Sequence, residues 1–188
     1  QHWYRHQCWR AIETFYQARK GEMDQQDLAA CAPIMAQAYC SQGNYAAAEA
    51  IAKNFLQSPQ TTLASAQQNN AMHAIALKCA AQRNDWKNAE VHYKVLLKSD
   101  NLTSLPLWVR YTLADTALQL DDTKRALAIL TPCYAGASND NPLYPQITFL
   151  LAITHMRLNN PKEAYNLFVE CNGLPNAKQL AGLAAKGR

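Results

Sequence analysis

His2, His6 and Cys8 crowd the start of the chain, and the two histidines stand one helical turn apart, a spacing that can hold a metal ion. No fourth ligand follows at a recognisable interval, so these residues read as exposed end-of-chain side chains. His73, His92 and His155 are each isolated in sequence. Pairing His73 with Cys79 as base and nucleophile fails on geometry. Six residues apart on one helix they do not share a face, and neither an orienting third group nor an oxyanion hole accompanies them. Asp121-Asp122 reads as the end of one helix and the cap of the next. There is no glycine-rich phosphate loop, no HExxH and no GxSxG. The expectation is a non-enzymatic chain with no cofactor and no metal.

The six cysteines, Cys8, Cys31, Cys40, Cys79, Cys133 and Cys171, form no CxxC pair and fall mostly among apolar helix residues. They read as reduced core-filling thiols, which fits a cytoplasmic location. Asn101-Leu102-Thr103 matches a glycosylation triplet by pattern alone. The formal charge of +4 comes from scattered Lys and Arg, not from the single stripe that nucleic acid calls for. No apolar run reaches the ~18 residues of a membrane span. The start, QHWYRHQCWR, lacks the apolar core of a signal peptide. A chain opening on Gln1 reads as a piece of a longer protein.

The elements that carry these residues are helices throughout. Apolar positions recur at helical intervals, no stretch alternates at period two, and breakers divide the 188 residues into helix-sized segments. The spacing predicts helices at about 3–20, 25–42, 45–57, 62–83, 86–99, 105–120, 123–135, 143–158, 161–171 and 176–186.

The turns then align. Gly43-Asn44-Tyr45 precedes Ala48, Asn84-Asp85-Trp86 precedes Ala89, Asp121-Asp122-Thr123 precedes Ala126, and Asn159-Asn160-Pro161 precedes Ala164. These alanines stand 41, 37 and 38 residues apart. Four residues after three of them comes a large side chain: Tyr93, Leu130 or Phe168. Ala52 takes the place in the first unit. Two antiparallel helices joined by a short turn approach closely only if a crossing residue is small, and the alanine meets that need. No such pair buries enough apolar surface alone, so neighbours must stack.

This pattern resembles the tetratricopeptide repeat family. Tyr39, Gly43, Tyr45, Ala48 and Pro59 carry the likeness in the first unit, Trp86, Ala89 and Tyr93 in the second, Ala126 in the third, and Ala164 and Phe168 in the fourth. Units of 37 to 41 residues depart from the family's period of about 34. The small residue at the eighth position is Ala36, Ala114 or Ala152, with Leu77 in the second unit. The resemblance implies an all-α, right-handed superhelix of about four helix pairs, one domain over 1–188. Its units would be 25–58, 62–99, 105–135 and 143–172, flanked by half-repeats at 3–20 and 176–186.

The resemblance also implies a concave groove lined by the first helix of each pair, for a peptide or a partner helix. Carried over position by position, the groove residues are Gln37 with Cys40; Lys78 and Gln82 with Ala74; Trp108, Tyr111, Asp115 and Gln119; and Gln146, Phe149, Ile153 and Arg157. The basic and asparagine clamp that grips C-terminal carboxylates in some members is missing. The function so implied is a protein–protein interaction scaffold. The alternative is a regulatory, output or self-association domain of a bacterial signalling protein, such as a response regulator or transcription activator. The partners are then a protein or peptide, or a second copy in a homodimer, with neither nucleic acid nor a membrane span.

Overall fold

The computed structural model describes residues 9–58, 64–98 and 102–173. Among them nine α-helices follow one another, with one 3-10 turn at Leu102–Ser104 and no strand. They are α1 (Trp9–Arg19), α2 (Gln25–Ser41), α3 (Tyr45–Gln57), α4 (Ala66–Gln82), α5 (Trp86–Leu97), α6 (Leu107–Gln119), α7 (Thr123–Gly136), α8 (Tyr144–Arg157) and α9 (Pro161–Gly173). Each predicted helix within the described residues is present, with ends shifted by a few residues at most. The stretches 3–8 and 176–186 lie outside the described residues.

Polar side chains start these helices by satisfying amides that have no partner within the first turn. Asp24 accepts from the Asp27 amide, Asn44 from Ala47, Asp85 from Asn88 and Asp122 from Arg125. Ser65 and Gln68 cap reciprocally, each side chain accepting from the other's amide at 3.2 and 2.9 Å. Pro161 opens α9, where a missing N–H costs nothing.

The four turns inside the helix pairs have one backbone geometry. Gly43, Asn84, Asp121 and Asn159 all take positive φ, between 57° and 78°. The next amide reaches back five residues each time: Asn44 to the Tyr39 carbonyl, Asp85 to Ala80, Asp122 to Ala117 and Asn160 to His155, at 2.8–2.9 Å. This is the Schellman closure, in which a left-handed residue lets the chain reverse while an end carbonyl keeps a partner. The same residue that stops one helix thus places the cap of the next.

The crossing residues are buried as close approach requires. Ala48, Ala89, Ala126 and Ala164 have essentially no exposed surface, and neither do Ala36, Leu77, Ala114 and Ala152 of the first helices. Ala52, Tyr93 and Leu130 are buried four residues after their alanines, and Phe168 is half-buried.

The helices gather into two compact units, Gln1–Ser99 with α1–α5 and Asp100–Arg188 with α6–α9. Within each unit every helix packs against its chain neighbour, and first helices also touch one another, α2 with α4 and α6 with α8. In the second unit the Tyr134 and Tyr144 hydroxyls both donate to Glu170, at 2.6 Å each, and the two rings stack at 5.5 Å. One carboxylate thereby ties α7, α8 and α9 together.

Candidate partner-binding face

Helix α6 sorts its residues by side. Val109, Thr112, Leu113, Thr116 and Ala117 are buried against neighbouring helices. Trp108, Tyr111, Asp115 and Gln119, spaced by three, four and four, run along another face. The first three are half-buried and Gln119 is exposed. Helix α8 repeats the division, with Ile147, Leu150, Leu151 and Thr154 inside. Gln146, Phe149, Ile153 and Arg157 form the corresponding stripe, and Arg157 is exposed.

Four of these residues form an electrostatic cluster. Burial raises the Asp115 carboxyl above its ordinary range, against the pull of a hydrogen bond from Gln119 and the charge of Arg157. Burial also raises the Tyr111 phenol, and the Asp115 charge adds to it. The Arg157 guanidinium donates to the Leu118 carbonyl at the end of α6, which anchors α8's last turn to α6. A carboxylate kept from water, beside a phenol, an amide and a guanidinium, can accept hydrogen bonds from an incoming N–H while the cation receives an acidic group.

The other predicted residues differ in their surroundings. Phe149 packs edge-to-face on Phe168, with ring centroids 5.7 Å apart, so part of its surface serves the α8–α9 pair. Gln146, with its amide nitrogen turned inward, donates to the Pro142 and Leu143 carbonyls at the start of its own helix. Ile153 is half-buried. Gln37, Lys78 and Gln82 lie in the first unit, Gln37 on α2 and the other two on α4. A hydrogen bond from the Cys79 thiol pulls the buried Cys40 thiol below its ordinary range, against its burial, and the Lys78 charge adds a smaller pull. Cys31, Cys40, Cys79, Cys133 and Cys171 are free thiols.

One grouping escaped the sequence reading. His73 and His92, isolated along the chain, meet across the α4–α5 hairpin with their Nδ1 atoms 3.0 Å apart and ring centroids at 5.2 Å. They border a cleft of about 290 Å³, lined also by Glu49, Lys53, Leu56 and Gln57 of α3, Ala76 of α4 and Asn88 of α5. Glu49 is ion-paired with Arg83. Burial pulls His73 down to about 4, helped by the charge of His92. His92 is lowered by burial too, with Glu49 opposing. The signal lay in the hairpin itself. His73 lies eleven residues before Asn84 and His92 eight after it, which puts the two at comparable depth in an antiparallel pair.

Repeated helix–turn–helix pairs with small crossing residues and stacked neighbours define an all-α helical solenoid of tetratricopeptide-like pairs. Two solved structures share the fold: MamA MSR-1, with a TM-score of 0.58 and 13% identity over 94% of this chain and 97% of that one, and MamA AMB-1, with 0.59 and 14% over 92% and 97%. MamA is itself tetratricopeptide-like. No family model and no curated protein matches the chain. Among the described residues no helix is long and apolar enough to cross a membrane.

Proposed function

We propose that the chain is a protein-interaction scaffold that holds an extended or helical peptide segment along the α6 and α8 stripes. The observation that carries this reading is Asp115. A carboxylate whose pKa is raised by burial costs the fold free energy, and a fold with no other use for the group would do better with an amide or an apolar residue. Binding gives it a use. A partner N–H or cationic group supplies the donors that water no longer does, Arg157 orients an acidic group nearby, and Trp108 and Tyr111 offer aromatic anchor surface. Gln37, Lys78 and Gln82 hold the corresponding helix positions in the first unit. The kinship in fold with MamA supports a scaffold role over a catalytic one.

Selection of peptides from a displayed library against the immobilised chain supplies the probe. The selected peptide should lose at least about tenfold in affinity with Trp108→Ala and with Asp115→Asn, the scale of a central contact. It should bind Val91→Ser unchanged, because Val91 is an exposed residue of α5, a second helix, and belongs to neither stripe. Equal affinity for all variants would remove the α6 stripe from the binding site.

A further inference from the structure

We propose that His73 and His92 form a site for a divalent transition-metal ion of the imidazole-preferring class, such as zinc, held between α4 and α5 by the two Nδ1 atoms. Tetrahedral zinc binds imidazole nitrogen at about 2.0–2.1 Å, which sets two such ligands about 3.3 Å apart. The two Nδ1 atoms already stand at 3.0 Å, so a few tenths of an ångström of ring movement would open the bite. Without a metal, two imidazoles at this distance must share one N–H between them. With it, each Nδ1 presents its lone pair: the acceptor ring already carries its proton on Nε2, and the donor ring's proton moves from Nδ1 to Nε2 by exchange with solvent, with no net proton released.

The surroundings carry charges of both signs, with Glu49 and Lys53 lining the cleft and Arg83 paired to Glu49. Glu49 is the acidic residue lining the cleft, and its charge acts on His92. Its carboxylate, engaged with Arg83, can turn toward a bound ion. Asn88 and Gln57 line the same space. Lys53 is the opposing charge there, on an exposed side chain. Among the described residues no three or more His, Cys, Asp or Glu side chains are already arranged around a metal position. The site therefore takes two protein ligands at the outset and leaves its remaining positions to water, or to a donor from a bound molecule. A bound ion would staple the second helix pair, so zinc should raise the unfolding temperature of the chain.

The test titrates zinc into the full chain carrying His2→Ala and His6→Ala, which removes the other histidine pair of metal-binding spacing. The expected result is one-to-one binding that weakens at least tenfold in His73→Ala and in His92→Ala and is unchanged in His155→Ala. Cobalt(II) in the same protein should give d–d bands without thiolate charge transfer, which separates imidazole from cysteine ligation. Long-range ¹⁵N spectra of the histidines, recorded without altering the pair, should show both Nδ1 resonances moving on zinc addition, so the result holds even if an alanine variant fails to fold. Absence of saturable binding, binding indifferent to both substitutions, thiolate bands, or unmoved Nδ1 resonances would each overturn the site.

Discussion

Asp115 sets the fold and the proposed function against each other at a single residue. Its folded pKa is raised, so the folded chain holds the proton more tightly than the unfolded chain does. Stability contributed by this group is therefore gained as pH falls through the folded pKa, and above that pH the ionised form is a cost. Asp115→Asn should raise the unfolding midpoint in urea at pH 7. Its advantage over the parent should shrink as the pH drops toward the ordinary carboxyl value of 3.8 and vanish below it. An advantage that is absent at pH 7, or that grows on acidification, would show that burial does not dominate the environment of Asp115. The same variant should bind the partner less well, so stability and affinity move in opposite directions.

At the scale of elements, the turns and crossings bear most of the specification. Asp121 holds φ at 65° without being glycine, and it is exposed in its turn. Asp121→Gly should stabilise the chain by up to about 1 kcal/mol, since relief of left-handed strain outweighs the added freedom of the unfolded glycine. Ala126 lies at a crossing with no room to spare, and Ala126→Leu should destabilise by about 1–3 kcal/mol. Denaturant melts of the two variants check both signs. These elements were legible because breakers and small residues recur at nearly constant intervals, and Gly43, Asn84, Asp121 and Asn159 stand among those breakers. The stripes of α6 and α8 were legible for the same reason, being a matter of helical phase. What phase could not show was the neighbour across each helix. It could not show Phe168 taking part of Phe149, the amide of Gln146 folding onto its own helix, or His92 arriving beside His73.

At the scale of the whole molecule, stability is a sum of local interfaces, because each helix buries its apolar face against near neighbours in the chain. Leu130 is fully buried in the second unit, and Leu130→Ala should cost about 2–5 kcal/mol. Hydrogen exchange should register the loss in α6–α9, which share its unit. The division at residue 99 could not be read in advance, because Ser99-Asp100-Asn101 is composed like the other breakers along the chain. In the proposed function a partner sits on the stripes of α6 and α8. Its most direct test is the affinity of a library-selected peptide for the parent chain, Trp108→Ala, Asp115→Asn and the second-helix control Val91→Ser. At least about tenfold loss is expected for the first two and none for the control. Unchanged affinity in Trp108→Ala and Asp115→Asn would overturn it, whatever the effect of Val91→Ser.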